Sequence, residues 1–170
     1  DGCTPLYIAA RNDLTDAMKL LLENKADVDK AANDGSTPLC IAAQKGNTDA
    51  MKLLLEYKAD VDKAMNDGTT PLYIAAQKGN TDAMKLLLAH GAQPDKARND
   101  GFTPLCTAAT FGQPAAARLL LARLPAAMIN TKRGVDKCTA LHIAAIKGHP
   151  SIIELILSNG AVMLNNTAAH

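Results

Sequence analysis

The sequence holds no tryptophan, only two phenylalanines and three tyrosines in 170 residues. Large rings are what usually fill a thick core, so their scarcity argues against a single deep core. With 48% hydrophobic residues, the interior must instead be built from small and aliphatic side chains in thin layers. No apolar run approaches the ~20 residues that a membrane span requires, so no membrane insertion is expected. Lys+Arg 18 against Asp+Glu 17 leaves a formal charge of +1, without the surplus of cations that nucleic-acid or acidic-membrane binding needs. The cysteines show no C-x-x-C spacing, and the serines are Ser36, Ser151 and Ser158 alone. There is no glycine-rich phosphate loop, no nucleophile elbow and no His-Glu-x-x-His. His90, His142, His149 and His170 are scattered. No catalytic, metal or cofactor residue is assigned, and no enzyme activity is expected.

What is present is a period. Asp1-Gly2-Cys3-Thr4-Pro5-Leu6 recurs as Asp34-Gly35-Ser36-Thr37-Pro38-Leu39, as Asp67-Gly68-Thr69-Thr70-Pro71-Leu72 and as Asp100-Gly101-Phe102-Thr103-Pro104-Leu105, at 33 residues each time. A fifth copy begins 36 residues later at Asp136, and residues 34–66 and 67–99 share 25 of 33 positions. The units expected are 1–33, 34–66, 67–99, 100–135 and 136–170. Each reads as a turn and two helices. Asp-Gly suits a tight turn because glycine accepts positive φ. Thr4, Thr37, Thr70 and Thr103 stand where they can cap a helix that opens on proline. Gly46 and Gly79 mark its end. Thr48-Asp49 opens a second helix with an acid in its first turn, and Ala50, Leu53 and Leu54 form one apolar stripe. A single pair cannot bury that stripe, so the units must stack.

The motif Asp-Gly-x-Thr-Pro-Leu-x-x-Ala-Ala, with Gly-Asn and Leu-Leu-Leu behind it, closely resembles the ankyrin repeat over essentially the whole chain. The resemblance implies an all-α solenoid of stacked helix-turn-helix units with hairpin tips along one edge. It also implies a non-catalytic module that binds a partner protein. The family's His after Thr-Pro-Leu, a link between neighbouring repeats, is replaced by Tyr7, Cys40, Tyr73 and Cys106, and only His142 matches. Lys25 and Lys58 replace the glycine that ends the second helix, which Gly91 and Gly160 keep. Family hairpins can be hydroxylated at a position that here holds Asp29, Asp62, Asp95 and Asn130, where Asp reads as a turn residue. The fourth unit carries an insertion in Ala122–Asn130, with Pro125 expected to end its helix. Neither end looks like a polar cap, so the chain is expected to be part of a longer array.

Stacked helices lie roughly 8–10 Å apart, so cysteines two or four units apart exceed the ~7 Å limit for a disulfide. Reduced thiols fit the cytoplasm, or the nucleus. By resemblance, the partner surface uses the turn tips, the residue before Thr-Pro-Leu and the end of the first helix. Those slots hold Asp67 and Asp100; Ser36, Thr69 and Phe102; and Gln44, Lys45, Gln77, Lys78, Thr110 and Phe111. Both phenylalanines fall in the fourth unit, where exposed aromatics would act as interface anchors; the alternative is that they pack together and stiffen that unit. The front two units total −3 and the next two +4, a polarity able to orient an encounter. A monomeric rod is expected, with end-to-end stacking open to it. Two other readings stand beside a binding module: a structural spacer in a larger multi-repeat channel or cytoskeletal protein, and a regulator of an enzyme domain elsewhere in the chain.

Overall fold

The computed structural model describes residues 2–132 and 137–159. Asp1, Arg133, Asp136, Gly160 and His170 lie outside the described residues. Five helix pairs follow one another: α1 (Pro5–Arg11) and α2 (Thr15–Glu23), α3 (Pro38–Lys45) and α4 (Thr48–Glu56), α5 (Pro71–Lys78) and α6 (Thr81–Ala89), α7 (Pro104–Thr110) and α8 (Pro114–Leu121), then α10 (Ala140–Lys147) and α11 (Pro150–Ser158). A short α9 (Ala126–Ile129) lies between the last two pairs. The first helices stack in the order α1, α3, α5, α7, α10, and the second helices stack beside them as α2, α4, α6, α8, α11. The fold is an all-helical repeat solenoid.

Local chemistry sets the helix ends. Thr4, Thr37, Thr70 and Thr103 accept the backbone N–H of the third helical residue at 3.1–3.2 Å. Each cap is worth about 1 kcal/mol. Among the described residues, only Thr139 closes a full capping box, with His142 returning the bond. Gly46 ends α3 at φ 76°, in the left-handed region, and an added Cβ there would press on the Asn80 side chain at 3.3 Å. Lys25 and Lys58 adopt the same left-handed conformation, at φ 63° and 66°, where a β-carbon is strained.

The layers are thin because they are filled by small residues. Ala42, Ala43, Ala75, Ala76, Ala108 and Ala109 are wholly buried between first helices. Between second helices, Ala50, Met51 and Leu54 are wholly buried and Leu53 nearly so, as the stripe requires.

The repeats are joined by bonds that do not use the missing histidines. Asn47 Nδ2 donates to the Ala10 and Arg11 carbonyls at 2.9 and 3.0 Å, and Asn80 Nδ2 donates to Ala43 and Gln44, both at 2.9 Å. Each asparagine thus closes the C-terminal end of the preceding repeat's first helix. Gln113 reaches the Gln77 carbonyl at only 3.5 Å. A second row runs through carboxylates. Asp29 accepts the Asp60 N–H at 3.1 and 3.2 Å, and Asp62 accepts the Gln93 N–H at 3.2 and 3.3 Å. These two aspartates therefore tie the first repeat to the second and the second to the third, which is more than the turn role expected of them. Burial raises both carboxyls above their ordinary range, opposed by those backbone bonds.

One boundary differs from the sequence reading. Pro125 does not end α8, which stops at Leu121; it caps α9 instead. The inserted turn finds its own seat in the core through Ile129, which is 3% exposed.

Candidate partner-binding surface

The turn tips are built first from their own backbone. Gly35 N–H bonds back to the Ala32 carbonyl at 2.9 Å, and the Asp34 carboxylate accepts the Ser36 N–H at 2.9 Å. The same closure recurs with Asp67 and Thr69 at 2.9 Å and with Asp100 and Phe102 at 3.1 Å. Adjacent tips are bonded in register, Asn66 N–H to Asp34 at 3.0 Å and Asn99 N–H to Asp67 at 2.9 Å. Glycine is required at position 35, where φ is 83° and a Cβ would stand 2.6 Å from the Asn66 nitrogen. The result is a stiff comb of tips whose aspartates remain exposed while one carboxylate oxygen of each holds its own turn.

Exposure divides the residues expected at the surface. Ser36 and Thr69 are 5% and 4% exposed, so the expectation that the residue before each Thr cap faces solvent fails there. The returning arm of each tip is bonded to its outgoing arm, Ala32 N–H to Ser36 and Met65 N–H to Thr69, both at 2.9 Å. A small side chain on that arm is covered by its surroundings. Phe102 in the same slot is larger and stays half-buried against the core. Lys45 and Lys78 are exposed, whereas Gln44, Gln77 and Thr110 are half-buried. Phe111, at the end of α7, is 52% exposed.

Five of the expected residues come together. Gln77, Asp100, Phe102, Thr110 and Phe111 line one open cleft of about 210 Å³ between the third and fourth repeats, with Tyr73, Arg98 and Thr107. Gln44, Lys45, Lys78, Ser36 and Thr69 are not among its lining. Asp67 touches it indirectly, 3.8 Å from the Arg98 guanidinium. That guanidinium bonds the Asp100 carboxylate and lies 5.7 Å above the Tyr73 ring. The Asp100 carboxyl is accordingly held below its ordinary range, chiefly by the Arg98 bond, and that bond raises the arginine in turn. Burial pushes the Tyr73 phenol up, against smaller pulls from the Thr107 hydroxyl and the Arg98 charge. Thr110 Oγ1 donates to the Cys106 carbonyl at 2.9 Å.

A family model described as Ankyrin repeats (3 copies) matches residues 1–65 and 59–133, and one described as Ankyrin repeat matches 136–167. The chain belongs to the ankyrin repeat family. No curated protein matches it. Ankyrin repeats are generally protein–protein interaction modules and typically non-catalytic. No helix among the described residues is long and apolar enough to cross a membrane.

Arg98 and Thr107 were missed as site residues by sequence reasoning, and both carried a signal. Arg98 occupies the tip slot that holds Ala32 and Met65 in the preceding ankyrin repeats. Thr107 stands where the other four have Ile8, Ile41, Ile74 and Ile143. Tyr73, expected only in the inter-repeat slot, is 4% exposed and also lines the cleft.

Proposed function

We propose that this chain is a non-catalytic adaptor module that docks a partner protein over its third and fourth repeats, through the turn tips and the ends of the first helices. The observation that carries this reading is the cleft, which brings the two phenylalanines together with five polar residues beside the half-exposed ring of Phe111. Aromatic side chains gathered near an arginine are the residues most often found as interface anchors. Lys45, Lys78, Gln44, Asp67 and Asp100 extend the surface on either side. Ser36 and Thr69 contribute by fixing the tips from beneath. Reduced cysteines, two of them buried as small hydrophobes, suit a chain that works as a monomer in the cytoplasm or nucleus.

The test is capture of a partner from cytosolic extract by the wild-type chain beside Phe102→Ala/Phe111→Ala. The variant is expected to lose the partner, each ring costing more than about 1 kcal/mol of binding, with its helical signal unchanged. Equal capture by both would place recognition elsewhere. The spacer reading draws on the near-identity of residues 34–66 and 67–99, since a spacer needs stacking and little surface variety; it predicts no capture by either chain.

A further inference from the structure

Inside the stack, each repeat covers the same few residues of the next, and on the outer repeats those residues are bare. On the first repeat, Pro5, Ile8, Leu14, Ala17 and Leu20 line an open apolar groove of about 630 Å³, with Leu14 51% and Leu20 63% exposed. One repeat on, the counterparts Pro38, Ile41, Ala50 and Leu53 are buried. At the other end, Ala145 and Ile146 on α10 and Leu157 on α11 are exposed. The counterparts of Leu157 in the four earlier repeats, Leu22, Leu55, Leu88 and Leu121, are all buried. These two faces are the two halves of the junction that recurs along the chain.

Two residues say which occupant fits. The slot of Leu14 is held in the next three repeats by Asn47, Asn80 and Gln113, whose side-chain amides reach the carbonyls of Arg11, Gln44 and Gln77. Arg11, Gln44 and Gln77 stand in the slot of Ile146, so the two slots touch at every junction between the first four repeats. Both slots are polar along the chain, and each turns apolar once: Leu14 in the first repeat, and Ile146, 73% exposed, in the last. A flanking repeat of the internal pattern would find no amide at Leu14. A second copy offers it Ile146, apolar against apolar. Charge favours the same orientation, since the front two repeats total −3 and the next two +4, so like ends repel and unlike ends attract. We infer that copies of this chain associate head to tail, the α1–α2 face of one seated on the α10–α11 face of another with Leu14 against Ile146. The solenoid then continues from copy to copy.

Sedimentation velocity of the 170-residue chain from about 1 µM to about 1 mM tests this. A junction of unlike faces leaves a free face at each end, so growth does not stop at a pair, and the mean mass of the wild type should climb past that of a dimer. Leu14→Asp and Ile146→Asp should each weaken association by more than about tenfold, because a carboxylate would be buried among apolar side chains. Alanine at either position should act in the same direction by a smaller factor. Mixed in equal amounts, the two aspartate variants should regain a dimer and nothing larger, joining the intact Ile146 face of one to the intact Leu14 face of the other. That recovery also shows that both variants remain folded. A wild type that stays monomeric at every concentration, either aspartate variant associating alone as well as the wild type, or a mixture that stays monomeric would each overturn the assignment. The docking reading stands or falls separately, because the cleft between the third and fourth repeats lies outside both faces and is open in the dilute monomer and in joined copies alike.

Discussion

Replacing Asn80 by alanine isolates the bonds that hold one repeat to the next. Its Nδ2 donates two bonds, to the Ala43 and Gln44 carbonyls at 2.9 Å each, and both are partly buried. A net value of about 1 kcal/mol per bond gives a loss of about 2 kcal/mol, since the two carbonyls at the end of α3 lose their partner. The alanine leaves Gly46 in its left-handed turn, so the loss is of pairing and not of backbone geometry. In a domain of this size that loss lowers Tm by about 4–8 °C. Urea unfolding followed by far-UV circular dichroism measures it. Asn80→Asp should be worse than alanine, because a carboxylate cannot donate and sets a negative charge against two carbonyls. A loss below about 0.5 kcal/mol for Asn80→Ala, or an aspartate better tolerated than alanine, would refute the claim that these side chains couple the repeats.

Two more perturbations follow from the same geometry. Lys58→Gly relieves a left-handed residue at φ 66° and is expected to stabilise the chain by about 1 kcal/mol, read as a higher urea midpoint with an unchanged slope; a lower midpoint would contradict it. Asp29 and Asp62 have folded pKa values raised above their ordinary 3.8, chiefly by burial, so the folded state binds their protons more tightly than the unfolded state. Their contribution to stability is greatest below the unfolded value and declines as pH rises through the folded values. Asp29→Asn/Asp62→Asn keeps an oxygen that can accept the same N–H and should remove that decline, so that its Tm gains on the wild type between pH 4 and 7. A gap that narrows over this range would reverse the sign.

Most of the fold was legible because it is written locally and repeated. Threonine before proline, glycine after Gln-Lys, and Ala, Leu, Leu at helical spacing each act within one turn of the chain, and the helices begin and end where those residues stand. What could not be read depends on the offset between neighbouring repeats. Asn47 and Asn80 look like helix-opening residues, yet their amides serve carbonyls 36 or 37 positions earlier. The burial of Ser36 and Thr69 depends likewise on how a tip's returning arm is covered. Pro125 was misread because proline both stops and starts helices, and α8 had already ended. In the cleft, Phe102 and Phe111 were visible as the sequence's two phenylalanines. Thr107 was visible only as an exception among isoleucines.

Docking over the third and fourth repeats, with Phe111 as an anchor, is tested most directly by photo-crosslinking. A benzophenone side chain in place of Phe111, in the cleft, is compared with one in place of Arg118, which is exposed on α8. In cytosolic extract, the first should give one discrete adduct and the second none. Adducts of equal yield at both positions, or an adduct from position 118 alone, would contradict the account.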